Sequence, residues 1–273
     1  AVNAAQLSDV VVAVVGEAAE MSGESSSRSD IGIPENQQEL LKALLKTGKP
    51  VVMVLLTGRP LALKWESENI PAILNIWFGG SETGHAVADV LFGDENPSGK
   101  LTTTFPQNIG QIPLFYNHKN TGRPLPDGQW FTKFRSNYLD VTNDPLYPFG
   151  FGLSYTRFEY SEPVLSKNSM KPGEVIEVKV KVSNKGDYDG QEVVQLYLRD
   201  MVGSTTRPVK ELKDFRKIMI KKGETKEVSF TIDINDLKFY NYDLNYVAEP
   251  GDFKVFIGGN SRDVKEASFV LTE

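Results

Sequence analysis

The sequence predicts an α/β domain built on a parallel sheet, followed by an all-β sandwich. Three observations carry this. From residue 10 to about residue 101, short apolar runs alternate with helical stretches, and strands separated by helices imply parallel βαβ units. After about residue 158 the helical patterns stop, and strand candidates follow one another between turn signals. The stretch between, about residues 102–157, is rich in Pro, Gly, Asn and aromatic residues and is too long for an ordinary loop. The expected division is residues 1–157 for the α/β domain with its connector and residues 158–273 for the β-sandwich.

The elements follow in order. Residues 1–7 read as a helix end running into a strand. Residues 10–15 (VVVAVV) form a continuous apolar run, the pattern of a strand buried on both faces. Residues 34–45 (PENQQELLKALL) read as a helix with Pro34 near its first turn and Gly48 just past its end. Residues 51–56 (VVMVLL) and 72–77 (AILNIW) are the second and third strands. Residues 81–92 (SETGHAVADVLF) read as a helix with Ser81 as N-cap. In the second half, strands are expected at 175–182, 192–198, 210–220, 225–232, 251–257 and 267–271. Turn signals separate them at Lys171-Pro172-Gly173, Asn184-Lys185-Gly186, Lys222-Gly223 and Glu249-Pro250-Gly251. The period-two alternation from Ile176 to Val182 places Lys179 and Lys181 on a solvent face of a sandwich of about seven strands.

Composition bounds the function. With 273 residues the chain holds one or two domains, and 40% apolar and 24% charged residues are ordinary for a globular protein with real cores. The formal net charge of −6 argues against a basic face for nucleic acid. The absence of cysteine excludes disulfides, thiolate metal sites and a cysteine nucleophile. No apolar run approaches the ~18 residues of a membrane helix. The chain opens at Ala1, without Met and without a signal peptide, as expected of a piece of a longer chain.

The most informative segment is residues 16–34, GEAAEMSGESSSRSDIGIP, which leaves the carboxyl end of the first strand. Ligands of open α/β sheets bind at that edge. The loop carries Glu17, Glu20, Glu24, Arg28 and Asp30 among serines. A carboxylate there can donate a proton to a leaving oxygen. Loops of Ser, Gly and Glu are also commonly just solvated turns, and Arg28 with Asp30 also fits a structural ion pair. Glu17, at the strand end, is expected to pack or hydrogen-bond locally, and Arg59 to form a salt bridge within the domain. Trp77 is expected to pack in the core rather than stack on a sugar. The Gly79–Gly84 stretch has no following Lys-Ser or Lys-Thr and is not a P-loop. It is not a nucleophile elbow either, because Thr83 stands where the last glycine belongs. His85 and His118 lie too far apart for paired zinc-ligand spacing.

Several segments occur in the order found in glycoside hydrolase family three. They are Val14-Val15-Gly16-Glu17, Gly23-Glu24, Asp30-Ile31-Gly32-Ile33-Pro34 and Leu56-Thr57-Gly58-Arg59-Pro60. Next come Trp77-Phe78-Gly79-Gly80-Ser81-Glu82-Thr83-Gly84, Ala88-Asp89-Val90-Leu91-Phe92-Gly93-Asp94, Asn96-Pro97-Ser98-Gly99-Lys100-Leu101 and Phe105-Pro106. The last, Tyr147-Pro148-Phe149-Gly150-Phe151-Gly152-Leu153-Ser154-Tyr155, is the most specific. The chain resembles the carboxy-terminal part of that family, closest to its periplasmic bacterial β-glucosidases, over essentially its whole length. The resemblance implies an α/β sandwich followed by a fibronectin type III-like domain. It implies part of a retaining exo-β-glycosidase that hydrolyses terminal β-D-glucosyl residues of a small oligosaccharide or β-glucoside. The Asp nucleophile would lie on an amino-terminal barrel that this chain lacks, and the chain alone would be inactive. Glu24, ten residues before Pro34, matches the general acid/base, with Glu17 and Glu20 as alternatives on the same loop. Arg28, Asp30 and His118 are the implied substrate contacts. No metal, no cofactor and no nucleic acid is implied, and the location would be periplasmic or secreted. The alternative is a non-catalytic carbohydrate-binding or scaffolding module of a larger secreted protein; a scaffold has no need of the Glu24 carboxylate.

Overall fold

The computed structural model describes residues 1–126 and 129–273. These fall into two units, the first comprising Ala1–Glu95, Thr104–Leu114 and Asn143–Tyr147, the second Asn96–Thr103, Phe115–Thr142 and Pro148–Glu273.

The first unit begins with a short helix α1 (Val2–Gln6) and runs β1 (Val11–Gly16), α2 (Glu35–Leu45), β2 (Val51–Leu56), α3 (Lys64–Asn69), β3 (Ala72–Asn75) and α4 (Thr83–Phe92). The three strands form one parallel sheet in the order β1-β2-β3. Gly16 pairs with Leu56, and Leu55 with Asn75, so all three carboxyl ends share one edge. The central strand β2 is the most buried, with Val51, Met53, Val54 and Leu55 at 1% exposure or less, as a Val/Leu run covered on both faces should be. β1 departs from the expectation of two buried faces. Ala13 and Val15 are buried, but Val12 and Val14 are 49% and 65% exposed. β1 is an edge strand of this sheet, and among the described residues the face that carries Val12 and Val14 is open. Ser81 is not an N-cap: Glu82 takes that position without a capping side-chain bond, and the Thr83 hydroxyl instead donates to the Gly80 carbonyl at 2.7 Å. The third strand stops at Asn75, two residues before Trp77, whose φ of 51° turns the chain away. Trp77 packs on Phe105 with ring centroids 5.8 Å apart. Phe105 is buried and forms a bridge with Tyr147, so two pieces of the long connector belong to this unit's packing.

Among its described residues the second unit is all-β apart from one helical turn. Its strands are β4 (Phe158–Tyr160), β5 (Val164–Leu165), β6 (Ser169–Met170), β7 (Ile176–Asn184), β8 (Gly190–Asp200), β9 (Glu211–Ile220) and β10 (Thr225–Ile232). After α5 (Ile234–Leu237) come β11 (Phe239–Tyr240), β12 (Tyr246–Val247), β13 (Gly251–Gly258) and β14 (Val264–Leu271). One sheet runs β10-β7-β4, with β5 also on β7; the other runs β6-β14-β13-β8-β9, and β11 pairs with β12. The alternation read from Ile176 to Val182 holds: Ile176, Val178, Val180 and Val182 are buried. They join Phe230 and Ile232 of the first sheet with Leu196, Phe253, Val255 and Phe269 of the second in one core. Lys100 belongs to this unit and ties the connector to β8. Its ammonium lies 3.2 Å from the buried Glu192 carboxylate and donates to the Gly152 carbonyl at 2.9 Å. The Tyr160 hydroxyl donates to the same carboxylate at 2.8 Å.

Candidate active site

The site is built from the carboxyl ends of β1 and β2. Gly16 ends β1 with a φ of 134°, and a Cβ there would sit 1.9 Å from the Leu56 carbonyl oxygen. Only glycine allows the two strands to approach this closely. The Gln37 side chain of α2 clasps Gly16 from the other direction, accepting from its N–H at 2.7 Å and donating to its carbonyl at 3.0 Å. The chain therefore leaves β1 in a fixed direction, and the next residue, Glu17, points inward.

Glu17 is buried and both its oxygens face donors. Oε1 lies 2.9 Å from Arg28 Nη1 and 2.9 Å from Arg59 Nε. Oε2 accepts from the Gly58 N–H at 3.0 Å and lies 3.1 Å from the Thr57 hydroxyl. Burial pushes this carboxyl up. Hydrogen bonds from Arg28, the Gly58 amide and Thr57, with the charge of Arg59, outweigh burial and hold it below the usual glutamate range. Glu17 is thus an ionised hub at neutral pH, with no proton to give. The local hydrogen-bonding expected for it from the sequence is what the structure contains.

Beyond Glu17 a single 3₁₀ turn, Ala19–Met21, carries Glu20 on its exposed side. A tight turn follows, closed by the Ser26 N–H donating to the Gly23 carbonyl at 3.2 Å. Gly23 and Ser25 both have positive φ, 140° and 59°. Glu24 sits between them, exposed at the tip of the turn. The loop's far side is fixed by Arg28, whose Nη2 donates to the Gly32 carbonyl at 2.9 Å while Nη1 pairs with Glu17. Asp30 does not pair with Arg28. Its Oδ1 accepts from the Gly32 N–H at 2.9 Å, an Asx turn that leaves the carboxylate exposed. His118 belongs to the second unit, is exposed, and has Nδ1 3.3 Å from the Lys119 carbonyl.

The structure thus brings Glu17, Arg28 and Arg59 together, and presents Glu24 and Asp30 outward on the same loop. Sequence reading missed Gln37, and it missed that Thr57 and Gly58 complete the Glu17 cage. The available signal was the Thr57-Gly58-Arg59-Pro60 run at the carboxyl end of the neighbouring parallel strand. In this topology that position must face the β1 loop. Among the described residues no cluster of three or more His, Cys, Asp or Glu is arranged to hold a metal, and no helix is long and apolar enough to cross a membrane.

Fold and site together define an α/β protein with an acidic loop beyond the carboxyl ends of parallel strands, continued by an all-β unit. Residues 1–155 match the glycosyl hydrolase family 3 C-terminal domain, and residues 192–261 match a fibronectin type III-like domain. The chain belongs to glycosyl hydrolase family 3. It is 54% identical over 271 residues to a periplasmic beta-glucosidase of Salmonella typhimurium, covering 99% of this chain and 35% of that protein. It is 45% identical over 273 residues to a beta-xylosidase of Formosa agariphila, covering 99% of this chain and 37% of that protein. The crystal structure of a beta-glucosidase from Listeria innocua in complex with glucose matches with a TM-score of 0.95 at 44% identity, over all of this chain and 38% of that one. The chain spans little more than a third of the length of these relatives.

Proposed function

We propose that this chain supplies the general acid/base, Glu24, of a retaining exo-β-glucosidase whose Asp nucleophile lies on an upstream barrel of the full-length protein. One observation carries the reading. Glu24 is an exposed carboxylate at the tip of a turn whose base is pinned by an ionised hub, at the sheet edge where α/β proteins bind ligands. Two of the loop's carboxylates divide the work: Glu17 holds the frame with its charge, and Glu24 is left to exchange a proton. In the first step Glu24, protonated, gives its proton to the glycosidic oxygen as the sugar passes to the nucleophile. In the second, the same carboxylate takes a proton from the attacking water.

The family and the two relatives named for glycosidase activity support this chemistry, and the periplasmic relative supports a periplasmic or secreted location. Terminal β-D-glucosyl residues are the proposed substrate. Asp30, exposed beside the loop, is proposed to meet a sugar hydroxyl. Arg28, engaged with Glu17 and Gly32, is proposed to act on substrate only through the loop it holds. His118 is proposed as a further substrate contact. The chain by itself is proposed to be inactive, with residues 158–273 bracing the catalytic part.

The test is Glu24→Gln in the full-length protein, assayed on aryl β-glucosides of graded leaving-group acidity. Loss of a general acid costs roughly 10²–10⁴-fold in kcat/KM on poor leaving groups, and the loss should fade as the leaving group becomes acidic. An equal loss on all substrates would exclude proton donation by Glu24.

A further inference from the structure

Arg59 stands three residues past the end of β2, yet its guanidinium reaches across to the β1 loop. Nε lies 2.9 Å from Glu17 Oε1. Nη2 donates to the Met21 carbonyl at 2.6 Å and to the Ser26 carbonyl at 2.9 Å. Those two carbonyls are the feet of the turn that carries Glu24. One nitrogen therefore sets the separation of the feet, and the other end of the same rigid fork is anchored on the hub. Next to it, Gly58 has no room for a side chain. A Cβ there would lie 2.0 Å from Ser22 Oγ and 2.9 Å from the Phe78 ring. Ser22, the first residue inside the feet, thus packs directly on the β2 end. Between the feet no side-chain bond restrains Glu24 among the bonds found for the described residues, and two residues of its turn hold positive φ. The frame, rather than the turn itself, is what holds the carboxylate at one height above the sheet.

We propose that Arg59 is a positioning residue for Glu24, acting on proton transfer through the Met21 and Ser26 carbonyls; this rests on the reading of Glu24 as the acid/base. A planar guanidinium suits this task because it sets its charge against a carboxylate while one of its nitrogens donates to two diverging carbonyls, which the single nitrogen of lysine cannot do along both directions. Loosening the feet shifts the carboxylate by a fraction of the turn's width, and a misplacement of about 1 Å costs on the order of 10²-fold in a positioned reaction.

The experiment uses the full-length protein with Arg59→Met and Arg59→Lys, each alone and combined with Glu24→Ala. kcat/KM is measured on phenyl β-glucoside, which needs protonation, and on 2,4-dinitrophenyl β-glucoside, which does not. Arg59→Met should lose on the order of 10–100-fold on the phenyl substrate and change little on the dinitrophenyl one. Arg59→Lys, which keeps a charge beside Glu17 and guards against a folding failure, should show the same substrate-dependent loss. In the Glu24→Ala background the Arg59 substitutions should add nothing further, the signature of two residues acting as one unit. Equal losses on both substrates, full recovery with lysine, or additive losses in the double variants would each overturn the proposal. If Glu24→Ala alone shows no leaving-group dependence, the acid/base reading falls and the Arg59 proposal with it. That outcome is recognised from the single variant and is distinct from a failure of Arg59 alone.

Discussion

Replacing Glu17 by Gln keeps the shape of the side chain and removes one charge, so it isolates what the hub contributes. The glutamate's two oxygens face donors only: Arg28 and Arg59 on one side, the Gly58 N–H and the Thr57 hydroxyl on the other. A glutamine must turn its NH₂ group toward one of these pairs, placing donor against donor, and leaves two guanidinium groups without a counter-charge. The Glu17 side chain is fully buried, while those of Arg28 and Arg59 are about a fifth exposed. Breaking a buried pair by removing one partner costs roughly 3–5 kcal/mol, and the exposure of the arginines places this site near 3 kcal/mol. For a cooperative unit of about 150–250 residues that is a fall of roughly 6–12 °C in the Tm of the transition that unfolds it. The effect carries a pH signature. The folded Glu17 carboxyl titrates below its ordinary value of 4.5, so its stabilisation is fully present above that value and is lost as pH falls through the folded pKa. The wild-type advantage over Glu17→Gln should therefore be constant from neutral pH down to about 5, then close in more acid solution. Differential scanning calorimetry of the full-length protein, followed across pH, reads this directly. A Tm within about 1 °C of wild type at pH 7, or a gap that persists unchanged into acid, would refute the account of Glu17 as an ionised hub.

Two further outcomes follow from the same structure. Gly16→Ala should cost more than about 4 kcal/mol or prevent folding, because the new Cβ meets the Leu56 carbonyl at 1.9 Å in a backbone conformation with φ of 134°; a urea midpoint near wild type would show that β1 and β2 do not pair as described. In the second unit, Lys100→Met strands the buried Glu192 carboxylate and should cost roughly 3 kcal/mol, most of which the double variant Lys100→Met/Glu192→Leu should recover. A double variant as unstable as the sum of the singles would mean that Lys100 and Glu192 do not act as a pair.

Much of this architecture is written in local patterns. The alternation from Ile176 to Val182 works as a reading because one face of β7 meets the core and the other meets water, so period two survives in the residues themselves. The run at residues 51–56 is as reliable for the opposite reason, since β2 is central and covered on both faces. The run at residues 10–15 reads the same but ends differently, with Val12 and Val14 exposed. Apolar composition reports that a face is meant to be covered, not whether this chain supplies the cover. Helix α3 was missed because six residues are too few to show a 3.6-residue period, and β5, β6, β11 and β12 are two residues each. In the proposed site, Glu24 is singled out only through family resemblance, because a solvated Ser/Gly/Glu loop has no pattern of its own. Arg59 was legible as a salt-bridging residue. Its grip on Met21 and Ser26 was not, since those partners lie 38 and 33 positions away and meet it only once β1 and β2 are in register.

The central claim, that Glu24 is the acid/base of a retaining glycosidase, is tested most directly by chemical rescue. In the full-length protein carrying Glu24→Ala, 2,4-dinitrophenyl β-glucoside should form the glycosyl-enzyme without protonation and then wait for a base that is no longer there. Azide needs no base, so it should restore turnover and yield β-glucosyl azide, the configuration left by two successive inversions. Glu17→Ala and Glu20→Ala, assayed in parallel, should show no rescue. Absence of rescue at Glu24, rescue at Glu17 or Glu20 instead, or an α-configured azide would contradict the account.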